Sequence, residues 1–141
     1  SKSKDPLGFS PAALSELQLL HELHSSYSTV DGHPSIILPL AVIHNDSDAT
    51  SIPRAFYLGL DYAPYTLAQI LNCYKGLKRR HVPSIMWEVW ARDLLEGVSY
   101  CHARNVVLRN VYPEYVFVSS AGVLKLGGFH RAIVLEMGSG S

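Results

Sequence analysis

The 141-residue sequence predicts an α+β domain, and three observations carry that expectation. Apolar residues return every three or four positions across 10–25 and 83–102, the period of a helix with one buried face. Short runs rich in valine, isoleucine and leucine, at 36–43, 55–62, 106–107, 116–118 and 123–126, read as strands. Ser119-Ser120-Ala121-Gly122 separates the last two and has the chemistry of a hairpin turn.

Residues 1–9 are polar, carry Pro6 and Gly8, and read as a loose segment. Ser10-Pro11 then supplies a capping hydroxyl followed by a first-turn proline. Leu14, Leu17, Leu20 and Leu23 make the stripe this helix is expected to bury, and it should end near His24 to Ser26. His21 and His24 stand three apart, a spacing that suits a metal. No second pair of ligands accompanies them, so they read as a surface pair. Pro39 interrupts the run 36–43 and predicts an edge or a bulge there. A polar turn at 45–53 leads to the run 55–62, which should pair antiparallel with the first. Thr66 is the expected cap of a short helix through Leu71. Residues 75–82 read as loop, with the basic run Lys78-Arg79-Arg80-His81 solvated. Pro83-Ser84 opens the longest helix, ending near His102. Met86, Val89, Trp90, Leu94, Val98 and Cys101 form one apolar face, and Trp87, Ala91, Leu95 and His102 form a second row. A helix apolar over so much of its circumference is expected to be buried.

Twelve basic and twelve acidic residues cancel, so the charge gives no footing for nucleic acid or an anionic membrane. No run of eighteen apolar residues predicts a membrane span, and the polar start has no signal-peptide pattern. Cys73 and Cys101 fall in expected helices and read as buried, reduced thiols. That points to an intracellular chain, cytoplasmic or nuclear. The Gly138-Ser139-Gly140-Ser141 end reads as linker.

The stretch from Cys101 to His130 carries a resemblance. A helix end is followed by Leu108-Arg109-Asn110-Val111-Tyr112-Pro113-Glu114-Tyr115, a hairpin, and Gly128-Phe129-His130. This resembles the centre of a protein kinase, where His-Arg-Asp-Leu-Lys-Pro-Glu-Asn and Asp-Phe-Gly stand at those places. The likeness continues through most of 9–134. The helix from Ser10 is similar to the αC helix of cyclin-dependent kinases, with Glu16 at the place of the residue that pairs with a strand lysine. His33-Pro34-Ser35-Ile36-Ile37 is similar to the segment after it. Leu60 falls on the gatekeeper, Asp61, Tyr62 and Ala63 fall on the hinge, and the helix from Pro83 falls on αE.

The resemblance therefore implies the middle of a kinase fold: αC, two N-lobe strands, the hinge, αD, αE and the catalytic-loop hairpin. Its implied division is 10–62 as a partial N-lobe, 63–134 as a partial C-lobe and 135–141 as a tail, with further strands and helices belonging before and after. The chemical residues of that family are replaced. Asn110, a neutral amide, stands at the catalytic base. Tyr112 stands at the catalytic-loop lysine. Tyr115 and Gly128 stand at the two magnesium-ligand places, where carboxylate or amide oxygens are needed. Leu108 replaces a histidine by an apolar residue of similar bulk, while Arg109, Pro113, Glu114 and Phe129 keep the family identities. The expectation is a pseudokinase segment, not an enzyme, serving as scaffold or allosteric partner. No cofactor is expected, neither magnesium nor ATP, with a vestigial hinge at 60–63 and Glu16 as remnants of a nucleotide site. A metal-independent nucleotide switch and a weakly active atypical kinase are the alternatives. The expected partner is a protein on the αC or αE face, or the rest of a longer polypeptide.

Overall fold

The computed structural model describes residues 11–27, 32–44, 56–77 and 81–136. The expectations for the first nine residues, the 45–53 turn, the basic residues 78–80 and the glycine-serine end lie outside the described residues.

Helix α1 spans Pro11–Ser25. Strands β1, Pro39–His44, and β2, Phe56–Leu60, pair antiparallel, and the register shifts between Pro39 and Ala41. Pro39, which has no N–H for the ladder, stands at that irregularity as expected. Strand β3, Tyr65–Thr66, runs directly into helix α2, Leu67–Gly76. Thr66 accepts from the Gln69 N–H at 3.2 Å and the Gln69 side chain accepts from the Thr66 N–H at 2.9 Å, a reciprocal capping box. Helix α3 spans Ser84–His102. Strand β4, Val106–Val107, follows, then the hairpin of β5, Val116–Val118, and β6, Leu124–Leu126, and last β7, Ile133–Val134. The pairings are β3-β5-β6 and β4-β7, all antiparallel. Strand alternation decides the hairpin: Val116, Val118, Leu124 and Leu126 point inward while Lys125 stands between. Gly122 takes φ of 82° in the turn, where a side chain would be strained.

Segment 33–37 joins the two halves. The Ile37 N–H donates to the Leu126 carbonyl and the Leu126 N–H to the Ser35 carbonyl, each at 2.8 Å. The core sits around this seam: Leu20 and Leu23 from α1, Ile36, Cys101 from α3, Leu126 and Phe129. Gly97 lets α3 approach closely, since a Cβ there would lie 2.8 Å from Leu126 Cδ1 and 3.0 Å from the Ser35 carbonyl oxygen. Three side-chain contacts then hold the hairpin. The Asp93 carboxylate accepts from the Leu124 N–H at 3.0 Å, Trp90 Nε1 donates to the Gly122 carbonyl at 3.3 Å, and Lys125 pairs with Asp61 at 2.5 Å.

Four expectations need correction. The buried stripe of α1 is Leu19, Leu20, Leu23 and His24, with Leu14 exposed, because the helix meets both segment 33–37 and the 129–131 turn. His21 and His24 are no surface pair. His24 is buried: its Nε2–H donates to the Ile37 carbonyl at 2.9 Å and its Nδ1 accepts from the His33 N–H at 3.3 Å, which defines one neutral tautomer. Cys73 is exposed on α2, which buries no residue completely, while Cys101 is buried and its thiol is pushed up to about 11 by desolvation. The second apolar row of α3 is not covered among the described residues: Trp87 is 45 % and Leu95 67 % exposed, with Val89 and Ile85 open beside them.

Candidate functional site

The residues singled out by sequence meet where the loop 108–115 faces the turn 127–131. Leu108 is buried and anchors the loop in the core. Arg109 adopts φ of 63°, a left-handed conformation that β-branched residues avoid, and its Nε donates to the Arg131 carbonyl at 2.6 Å. That bond stitches the loop to the turn. Asn110 is half-buried, and Val111 and Tyr112 are exposed. Pro113–Tyr115 closes the loop as a single 3-10 turn, with Pro113 in its first turn.

The turn opposite is built on Gly128, at φ 73° and ψ 32°. Phe129 is 1 % exposed and packs into the core, as its retained identity implied. His130 is exposed, and its ring meets that of Tyr115 edge-on with centroids 5.0 Å apart. The Gly127 N–H donates to the Tyr115 carbonyl at 2.9 Å. A Cβ on Gly128 would lie 2.8 Å from Tyr115 Cβ and 2.9 Å from Tyr115 Cγ, so the tyrosine ring occupies the space a side chain at 128 would need. Asn110, Tyr115 and Gly128 thus supply no carboxylate to the loop's centre. No cluster of three metal-ligating side chains is found among the described residues.

Glu16 has a partner that sequence reasoning missed. Helix α1 packs against the 129–131 turn, and Glu16 is half-buried there. Burial pushes its carboxyl above the usual range, opposed by the positive charge of His130 and by the Phe129 N–H, which donates to it. The partner lies too far along the chain for any local pattern to announce it. The remaining named positions sit apart, at the junction of the two halves. Leu60, Asp61 and Ala63 are partly buried and Tyr62 is 77 % exposed. The Asp61 N–H donates to the Leu38 carbonyl at 2.8 Å, and its carboxylate with Lys125 lines a cleft of about 550 Å³ shared with Tyr62, Ser119 and Ser120.

No protein-family model matches the chain. Curated relatives do. The chain is 27 % identical over 144 residues to Cyclin-dependent kinase E-1 of Arabidopsis thaliana, covering 96 % of the chain and 27 % of that protein. It is 29 % identical over 120 residues to Serine/threonine-protein kinase SSN3 of Mycosarcoma maydis, covering 85 % of the chain and 15 % of that protein. It is 26 % identical over 129 residues to the protein of the same name in Coccidioides immitis, covering 92 % of the chain and 24 % of that protein. The chain thus spans about a quarter or less of the length of these relatives. With the mixed helix-and-strand architecture, the matches relate it to the protein kinase superfamily, as a partial kinase-like α+β fold. They also correct one expectation. The replaced motif residues predict no enzyme, yet the relatives are named as kinases, and that similarity points to an enzyme family. No helix of the described residues is long and apolar enough to cross a membrane.

Proposed function

We propose that the chain acts in a cyclin-dependent-kinase-like serine/threonine kinase setting as a protein-docking scaffold, with the exposed face of α1 taking a cyclin-type subunit. The observation that carries this reading is the one-sided burial of α1. Leu19, Leu20, Leu23 and His24 face the core, while Leu14, Gln18, His21 and Glu22 remain on the surface. The name of the Arabidopsis relative supplies the partner class. The face has the amphipathic composition a partner helix can read. Calorimetric titration of a purified cyclin-type subunit tests it. Leu14→Asp combined with His21→Glu should weaken binding at least tenfold without lowering the melting temperature. Binding that survives both substitutions, or no binding to the unaltered chain, would sink the proposal. The open row Trp87, Ala91, Leu95 on α3 is the second docking face, and the same titration with Trp87→Ser and Leu95→Gln discriminates the two.

A second reading, favoured by the names of the relatives, is weak phosphoryl transfer to serine or threonine. Labelled γ-phosphate and a broad substrate panel, with magnesium and with manganese, test it directly. The segment 60–63 is the place proposed for an adenine, which would be held by main-chain groups. Thermal unfolding with ATP, with and without chelator, reports on it, since occupancy at a hundred times Kd raises stability by about 2.7 kcal/mol. An upward shift that survives chelator marks a metal-independent nucleotide switch. We place the chain in the cytoplasm or nucleus on its two free thiols.

A further inference from the structure

Segment 32–37 is fastened to the C-terminal end of α1 by two imidazoles that both serve as hydrogen-bond acceptors. His24 Nδ1 accepts from the His33 N–H at 3.3 Å, and His33 Nδ1 accepts from the Ser35 N–H at 3.1 Å. His24 Nε2–H is committed to the Ile37 carbonyl at 2.9 Å. Each Nδ1 must therefore stay unprotonated, because a proton there would set one N–H against another. Neither ring has space to turn aside. A Cβ on Gly32 would run into the His24 imidazole, and the His33 ring packs against those of Tyr27 and Tyr100, with centroids 5.0 and 4.5 Å away. His24, His33 and Ser35 are all buried. The same segment carries the Ser35 and Ile37 bonds to Leu126 that join the two halves. His24 faces His33 and Lys125 of β6, which Asp61 holds. His33 faces Tyr27, His24, and Glu96, Tyr100 and Arg104 of α3. Among the charged side chains Glu96 favours a protonated ring, whereas Lys125 and Arg104 oppose one.

We propose that His24 and His33 form a proton-operated latch: proton uptake on the two Nδ1 atoms releases segment 32–37 from α1 while α3 stays folded. In the released state both imidazoles reach water as cations, and the bonds to Leu126 open with the segment. The latch acts on the joint between the halves, independently of what docks on α1 or α3.

Amide exchange of the chain followed by NMR, from about pH 7 to about 5.5 and with increasing low urea, tests the latch. Corrected for intrinsic rates, protection at Ser35, Ile37 and Leu126 should fall up to about tenfold per pH unit below about 6.5 for each imidazole that takes up a proton. That exchange should not respond to urea, because little surface opens, whereas exchange in α3 should accelerate with it. His24→Gln keeps a donor for the Ile37 carbonyl, and His33→Asn keeps an acceptor for the Ser35 N–H, yet neither titrates. The double variant should lose the dependence on pH. Nitrogen shifts of the two imidazoles in the unaltered chain give a readout that needs no variant: Nδ1 should gain its proton over the same range in which exchange speeds. Three results overturn the latch. They are seam amides that follow urea as α3 does at every pH, a pH dependence that survives in the double variant, and protection that stays flat while the rings titrate.

Discussion

Two buried imidazoles make the chain sensitive to acid. His24, on the buried face of α1, accepts from the backbone N–H of His33, and both imidazoles titrate below the usual range. Desolvation is the main cause in each, and for His24 its hydrogen bond to Ile37 and for His33 the nearby Glu96 pull the other way. A base whose folded value is depressed binds fewer protons folded than unfolded. Its contribution is fully present above about pH 6.5, the unfolded value, and is lost as pH falls from there through the folded values. The melting temperature should therefore fall steadily as the pH is lowered below about 6.5. A flat profile would mean that His24 is solvated in solution. Gly97 is the second residue on which packing turns. Gly97→Val should destabilise by about 2 kcal/mol or more in urea unfolding, because the new Cβ alone would lie 2.8 Å from Leu126 Cδ1 and 3.0 Å from the Ser35 carbonyl oxygen.

Elements here are held by caps and clamps as much as by propensity. Helix α2 has no fully buried residue, so its start depends on the Thr66–Gln69 box. Thr66→Ala should cost about 1 kcal/mol and raise amide exchange at Gln69 before it affects α3. The β5–β6 hairpin is short, and three-residue strands do not hold alone. Asp93 supplies a charged acceptor to the Leu124 N–H from the flank of α3. Asp93→Ala should cost about 1.5–3 kcal/mol, while Asp93→Asn, which keeps an acceptor oxygen, should recover most of it. Equal losses for the two would show that the charge, not the acceptor, holds the hairpin.

At the scale of the whole molecule, the two halves are joined by segment 33–37 against Leu126, by the Asp61–Lys125 pair, and by Tyr100, whose hydroxyl donates to the Leu23 carbonyl at 2.6 Å. Arg104 covers the Tyr100 ring, 3.5 Å from its centroid, and shields that tie. Leu95, on the open row of α3, lines the cleft beside Tyr100 and Arg104 but is 67 % exposed. Leu95→Gln should therefore raise solubility and change stability by no more than about 0.5 kcal/mol. A large loss of stability would mean that this row is covered in solution.

The order and kind of the elements were legible because they are local. The 3.6-residue period marks Pro11–Ser25 and Ser84–His102, the capping hydroxyl marks α2, and Pro39 marks the irregular end of β1. The motif positions from Leu108 to His130 were legible by spacing, and the fold does bring the 108–115 loop to the 127–131 turn. Tertiary contact alone decided which face of α1 is buried, why His24 is neutral, and what Glu16 faces. Each of those depends on a partner distant in sequence, and a helix period fixes a stripe's width better than its direction. The replacement of a ligand residue by Gly128 was visible as a loss in the sequence. Only the packing shows that Tyr115 fills the vacated space, because two side chains compete for one volume only once the chain has folded.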